Sequence, residues 1–478
     1  MSASTCKEHQ TGSCCLTLSP IFCLSLSLLE LNFMLIDSRL AYHLSLLKLD
    51  SSNDQSEKAC LAPIFTGFVL RQPELAPSQY GLLGGVKNIE TSGFASADNR
   101  FIEKDPRLFF NVSSPSSTFI CGSQGSGKSH TLSCILEGCL IPSQAGRLLN
   151  PLTAVIFHYD TFICDNGGSP CEAAFLASHS NIRVRVLCAP TNLLTIQRTY
   201  SRFNIKVEPL QIDQANLSTK RMLDLMAVGQ DSGPVPLYVH TVQRILREMR
   251  LLQQMAGSQF DYKDFKKRIL STGLLPGQLE PLRQRLDTLE SFMAPQQTAP
   301  NNQARGKKAK SQGAGSNWTP KYMKDSVEAG NFTDNLLSTV RLQRHLGARI
   351  LISTQEPTIS SDLLSLCSVT IVHRFSSPAW IRALQGHVAG AALGLQLNQE
   401  KSASDDDHPG NVEISRKFSL FHRIVHLQVG EALLFSLGAV SGTASEGLQG
   451  LRNLGSGYMV IKIRDRLTED GGKSVLSS

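Results

Sequence analysis

The chain has 478 residues, of which 41 % are hydrophobic and 18 % charged, with a formal net charge of +7. That length holds two or three domains or one large domain with insertions, and the charge allows a nucleic-acid partner without requiring one. Twelve cysteines form no Cys-x-x-Cys pair or Cys/His cluster, which argues against a zinc centre or a tight disulfide framework and for reduced thiols in an intracellular protein of nucleus or cytoplasm.

Residues 1–60 read as a poorly ordered extension. From Cys15 to Ile36 the chain is rich in Leu, Ser and Cys but is broken by Pro20 and Glu30. It has neither the basic start of a signal peptide nor twenty mainly apolar residues for a membrane span. No stable membrane association is expected. Residues 61–217 read as the first part of a nucleotide-binding domain, entered through turn-rich sequence such as Gly81-Leu82-Leu83-Gly84-Gly85.

Gly122-Ser123-Gln124-Gly125-Ser126-Gly127-Lys128-Ser129 fits G-x-x-x-x-G-K-[ST], the phosphate-binding P-loop or Walker A motif. A short apolar run, Phe119-Ile120-Cys121, precedes it, and a helix is expected from His130 onward, which is the strand–loop–helix setting the motif needs. Glycines let successive N–H groups face the β- and γ-phosphates at a helix N-terminus. Lys128 supplies a point charge, the Ser129 hydroxyl suits Mg²⁺, and His130 falls in the first helical turn near the nucleotide base or sugar.

Further along, Thr153–His158 is a continuous apolar run of the kind buried in parallel sheets, and Arg183–Leu187 alternates as a second strand. Residues 218–293 change to helical spacing, with helices expected over 221–228, 238–252, 262–270 and 279–293. Leu279, Leu282, Leu286 and Leu289 line one face, as core contacts or, alternatively, as a dimerisation stripe. Residues 294–330 read as a disordered linker carrying Arg305, Lys307, Lys308 and Lys310.

Order resumes over 331–390. Asn331 is placed to cap a helix that Gly347 ends, followed by a buried strand Ile350–Thr354, a strand Val369–His373 and a helix from Pro378 to Leu395. Residues 391–478 read as a C-terminal extension with an acidic loop over 402–410. Strand-like pieces follow at Ile424–Leu427 and Ala432–Phe435, and the region closes with Tyr458–Arg466.

The block Arg341–Pro357, with Ser368-Val369-Thr370-Ile371-Val372-His373-Arg374-Phe375 and the P-loop, resembles the HerA/FtsK-like branch of P-loop ATPases. More narrowly, it is similar to a group of uncharacterised fungal-type P-loop hydrolases. The resemblance covers most of residues 111–390 and resumes at Arg464–Ser474. It implies an α/β fold with a mainly parallel sheet, a helical insertion and a small α+β C-terminal extension. It implies ATP and Mg²⁺ as cofactors, with Lys128, Thr354 and Gln355 as the catalytic set. Thr354 and Gln355 would sense the γ-phosphate or position water. It also implies action on nucleic acid, a homo-oligomeric ring, and an arginine supplied in trans, for which Arg344 and Arg374 are candidates.

One family feature is missing. The resemblance calls for a hydrophobic strand ending in Asp-Glu ahead of the helix at 331–345, to hold the Mg²⁺ shell and to activate water. Here that stretch reads Gly315-Ser316-Asn317-Trp318-Thr319-Pro320-Lys321-Tyr322-Met323-Lys324, so a block with one strand and both acids is read as absent near Pro320/Lys321. Asp160 and Glu356 are the acids weighed as substitutes; each also has a simpler reading, as a turn cap and as a strand-end residue before a proline. His373 reads as a core histidine. Two functions stay open: an ATP hydrolase acting on nucleic acid, and a nucleotide-binding switch or scaffold without turnover.

Overall fold

The computed structural model describes residues 42–43, 46, 58–90, 99–160, 163–226, 236–298, 327–356, 359–386, 414–442 and 451–471. The linker's basic cluster, the Pro320/Lys321 junction and the acidic loop at 402–410 lie outside the described residues, as does nearly all of 1–57. The chain divides into two compact units, Met1–Glu57 and Lys58–Ser478. In the first, Tyr42 and His43 are helical, with rings 6.4 Å apart.

The second unit is built on one large sheet. Its strands are β1 (Ile64–Thr66), β2 (Tyr80–Glu90), β3 (Arg107–Asn111), β4 (Ser116–Cys121), β5 (Gly146–Arg147), β8 (Arg349–Thr354), β9 (Val369–Val372), β10 (Glu431–Phe435), β11 (Val440–Gly442), β12 (Leu451–Asn453) and β13 (Tyr458–Ile463). They run in the order β12-β11-β1-β3-β2-β13-β10-β9-β4-β8, with β5 on β2. Two further strands, β6 (Arg185–Cys188) and β7 (Lys206–Pro209), pair with each other in a separate parallel ribbon.

This sheet corrects the expected mainly parallel fold. Parallel pairing holds for β4 with β8, β4 with β9, and β1 with β11, whereas β1–β3, β2–β3, β2–β5, β2–β13, β13–β10, β10–β9 and β11–β12 are antiparallel. Glu431–Phe435 and Tyr458–Ile463, read as part of a small extension, instead supply β10 and β13 to the middle of the sheet. Nor is Thr153–His158 a strand. It is extended chain with Val155 and Phe157 each 79 % exposed. A parallel strand needs a ladder partner on at least one side, and among the described residues the sheet ends at β8.

The Gly81–Gly85 run, which reads as a turn, lies inside β2. Its glycines are needed for close approach: a Cβ on Gly84 would stand 2.1 Å from the Lys462 carbonyl, and one on Gly81 2.8 Å from the Gly138 Cα. Ile424–Leu427, expected as a strand, begins inside the end of a helix, Ile414–Val425.

The helices are α1 (Asn99–Lys104), α2 (Lys128–Leu140), α3 (Leu193–Thr199), α4 (Thr219–Leu225), α5 (Leu237–Ala256), α6 (Tyr262–Leu270), α7 (Pro276–Ser291), α8 (Pro295–Thr298), α9 (Val327–Leu346), α10 (Ser361–Leu366), α11 (Pro378–Gln385) and α12 (Ile414–Val425). Side chains alternate across the sheet as strand geometry dictates. Ile120, Ile371 and Leu434 join Cys134 and Ile135 of α2 on one face, while Phe119, Cys121, Val372 and Leu433 pack with Trp380 and Leu384 of α11 on the other.

Helices α4–α7 form a core of their own, in which Leu282, Leu286 and Leu289 are buried beside Tyr262 and Phe265. These leucines are therefore core contacts. Asn331 lies within α9, which starts at Val327, so it does not cap that helix. Gly347 does end it: φ is +59° and the Ala348 N–H reaches the Gln343 carbonyl, the Schellman pattern that puts glycine past a helix end. Among the described residues, no helix is long and apolar enough to cross a membrane.

Candidate functional site

β4 carries the P-loop and is buried along its whole length between β8 and β9. Of its two opening serines, Ser117 has its place explained by its partners, whereas the buried Ser116 hydroxyl finds none among the described residues. The Ser117 hydroxyl donates to the Leu366 carbonyl at 2.9 Å, and the Ser368 hydroxyl donates to the Ser117 carbonyl at 3.0 Å. These bonds set β4 against β9, and the register then places Cys121 beside Val372 on one side and beside Thr354 on the other. Thr354 thus stands one strand away from the last residue before the loop.

The loop itself is held from the β9 side. The N–H and the hydroxyl of Ser123 both donate to the Arg374 carbonyl at 2.9 Å. Gly122, Gly125 and Gly127 have φ of +150°, +71° and +108°, a region that costs residues with a Cβ but not glycine. Gly122 is also sterically required: a Cβ there would stand 2.7 Å from both the His373 Cβ and the Ser126 hydroxyl, whereas one on Gly127 would make a tight contact of 3.3 Å with the Gly430 nitrogen.

Helix α2 begins at Lys128 with Gly127 as its N-cap and no side chain capping it. The first N–H groups of a helix have no intrahelical acceptor, so this end presents donors and the positive pole of the helix dipole. Lys128 is half-buried and donates to the Ser123 carbonyl at 2.7 Å, folding its ammonium back over the loop. Burial holds its pKa below the usual lysine range, against a smaller opposing influence of Cys121. Ser126 is buried, and its hydroxyl finds no partner among the described residues. Gln124, Gly125 and Ser129 are exposed at the mouth. The arrangement can bind a polyanion through backbone N–H groups, Lys128 and the Ser129 hydroxyl. Ser129, in the first turn, is the residue that fits a Mg²⁺ ion carried by that anion.

The remaining sequence candidates divide. Thr354 accepts the Glu356 N–H at 3.0 Å, and Gln355 and Glu356 are exposed beyond it. Arg344 and Arg374 expose their side chains. Asp160 accepts the Ser169 N–H at 2.6 Å, the turn-capping role. Among the described residues, no group of three or more His, Cys, Asp or Glu is placed to hold a metal.

His130 is occupied by a segment that motif reasoning did not connect to it. Its Nε2 donates to the Arg464 carbonyl at 2.8 Å, and its Nδ1 lies 3.7 Å from the Asp470 carboxylate. This segment, after β13, runs along α2 and closes on Glu137, whose side chain is fully buried. Glu137 accepts from Arg464 Nη1 at 2.8 Å, from the N–H groups of Leu467 and Thr468 at 3.0 Å, and from the Thr468 hydroxyl at 2.6 Å. Burial alone would raise the Glu137 pKa, but these hydrogen bonds and the Arg464 charge outweigh it and hold the carboxyl below its ordinary range. The eight described cysteines are free thiols; burial raises the Cys121 thiol pKa and takes that of Cys134 to about 12. The chain matches no protein-family model, and no curated protein matches it.

Proposed function

We propose that this protein binds Mg²⁺–ATP at Gly122–Ser129. The observation that carries the reading is the uncapped start of α2, directly behind a loop whose glycines adopt positive φ at the end of a buried strand. Lys128, poised on a loop carbonyl, has only to exchange one acceptor for phosphate oxygens. The N–H groups of the loop and the first turn of α2 would hold the phosphates, with the Ser129 hydroxyl on the metal. Bound Mg²⁺ neutralises phosphate charge.

Binding without turnover, as a switch or scaffold, is the form of this reading that the geometry supports best. Asp160 is engaged with Ser169, and Glu137 with Arg464, Leu467 and Thr468, which leaves neither carboxylate free to act as a base; Glu356 is exposed beyond the Thr-Gln pair and in this reading does not take that role. A hydrolase of the HerA/FtsK-like type, working on nucleic acid as a homo-oligomer, is the second reading. The Cys121–Thr354 register favours it, because it sets the Thr-Gln pair next to the loop.

Titration with a fluorescent ATP analogue, on wild type and Lys128→Ala, tests the first statement. The variant is expected to bind at least about tenfold more weakly, the worth of a charge-assisted hydrogen bond. Equal binding by the two proteins would overturn the assignment. Phosphate release measured with and without duplex DNA then separates the two readings. DNA-stimulated release that Lys128→Ala abolishes establishes the hydrolase, whereas binding without release establishes the switch.

A further inference from the structure

His373 follows β9 directly, is fully buried and touches both glycines that bracket the P-loop. Its own N–H donates to the Cys121 carbonyl at 2.8 Å, so its backbone is fixed to the end of β4. Its ring spans two other elements. Nδ1 lies 2.9 Å from the Glu431 carbonyl at the start of β10, and Nε2 lies 2.8 Å from the Thr131 hydroxyl in the first turn of α2.

The carbonyl can only accept, so Nδ1 carries the proton. In a neutral imidazole, Nε2 is then the acceptor, and the Thr131 hydroxyl must be the donor. The ring is kept neutral, because burial, aided by Lys128 and His130, outweighs the hydrogen bond to the Glu431 carbonyl and takes its pKa down to about 4. On the loop side, His373 Cε1 lies 3.5 Å from where a Cβ on Gly127 would stand. The imidazole is therefore a spacer beneath the loop as well as a hydrogen-bonded bridge.

We infer that His373 is a positioning residue for the phosphate site: its Glu431–His373–Thr131 bridge fixes how the first turn of α2 sits against the ends of β9 and β10. The aim of the N–H groups that receive the phosphates is thereby set from behind. This rests on the nucleotide-binding reading above. A histidine that only filled the core would affect stability when replaced, while leaving the affinity of the folded protein unchanged. A positioning histidine changes affinity.

The test uses the full-length chain, with affinity read from the fluorescent ATP analogue and stability read separately from melting without nucleotide. Thr131→Val removes only the donor hydroxyl and is expected to weaken binding about tenfold, because the first turn of α2 is then no longer held in the position that aims its N–H groups. His373→Asn keeps a donor where Nδ1 stands but has nothing at Nε2, whereas His373→Gln can offer its carbonyl oxygen to Thr131. The Gln variant should therefore bind more tightly than the Asn variant. If Thr131→Val and the folded His373 variants all bind within about twofold of wild type while Lys128→Ala has lost binding, the bridge has no positioning role and the inference falls alone. If Lys128→Ala binds like wild type, the nucleotide reading falls and takes this inference with it. Should either His373 variant fail to fold, Thr131→Val, which leaves the imidazole in place, decides the matter.

Discussion

β9 and β8 both run parallel to β4 and in register with it, yet they differ in what lies beyond them. β9 is buried at every position, and β10, β13 and β2 continue the sheet past it. Both of its faces are covered, and the residue after it, His373, reaches into the P-loop helix. β8 carries an equally apolar sequence, Arg349-Ile350-Leu351-Ile352-Ser353-Thr354, but none of its residues is fully buried. It ends the sheet among the described residues, and the apolar run 153–157 stands in solvent without a ladder. One flank of the P-loop strand is finished and the other is not.

The finished flank holds the parts that the proposed phosphate site uses: the Arg374 carbonyl that anchors Ser123, the His373 bridge and the uncapped helix. The unfinished flank is where the Thr-Gln pair stands. The contrast between binding and hydrolysis in the proposed function therefore has a structural counterpart in the two sides of one strand.

The most disruptive way to probe the finished flank is at Glu137. Glu137→Gln takes the buried counter-charge from Arg464, whose side chain is 8 % exposed, while Arg466 keeps its pairs with Glu172 and Asp470. Removing one partner of a buried pair costs about 3–5 kcal/mol, so a denaturant midpoint should fall sharply. A loss below about 1 kcal/mol, the range of surface pairs, would show that the C-terminal segment does not hold α2. The pH dependence has a definite sign. The folded Glu137 pKa is depressed below its ordinary 4.5, so its contribution is complete above that value and is lost as pH falls through the folded-state pKa. Glu137→Gln should flatten that acid limb.

A smaller effect separates the flanks directly. Ile371 on β9 is fully buried, whereas Ile350 on β8 is only half-buried. Ile371→Ala should cost about 2–5 kcal/mol, the range for a core truncation that leaves a cavity. Ile350→Ala should cost roughly half as much or less, since part of its surface already meets water. Equal losses in denaturant melts would mean that β8 is covered in solution and that the asymmetry is not real.

The two flanks were not equally legible in the sequence. The P-loop is readable because its glycines serve a local backbone conformation, which fixed spacing encodes, and Gly122 proves to be a position where a Cβ would collide. The helices at 238–252 and 262–270 were legible for a similar reason, since a 3.6-residue period is local. The antiparallel part was hidden. Gly81, Gly84 and Gly85 look like a turn, and only the approach of Gly138 and Lys462, far away in the chain, explains the first two as strand residues. Thr153–His158 failed in the opposite direction: its composition suits a buried strand, but a strand also requires a neighbour, and composition cannot supply one. His373 was readable as a core residue, although its partners Thr131 and Glu431 are set by tertiary contact.

The mildest perturbation lies at that exposed run and tests the unfinished flank most directly. Phe157 is 79 % exposed and meets Phe332, itself 36 % exposed, edge-on with ring centroids 5.8 Å apart. An aromatic pair in water contributes little beyond the area it covers, so Phe157→Ser should change stability by only about 0.5 kcal/mol, as at an ordinary surface site. Its larger effect should be on self-association, because an exposed apolar run is the kind of surface that pairs with other chains. Light scattering at rising concentration should show the variant staying monodisperse longer than wild type. A stability loss above about 2 kcal/mol would instead place Phe157 in a packed interior. In that case residues 153–158 are part of the sheet in solution, and the flank beyond β8 is closed after all.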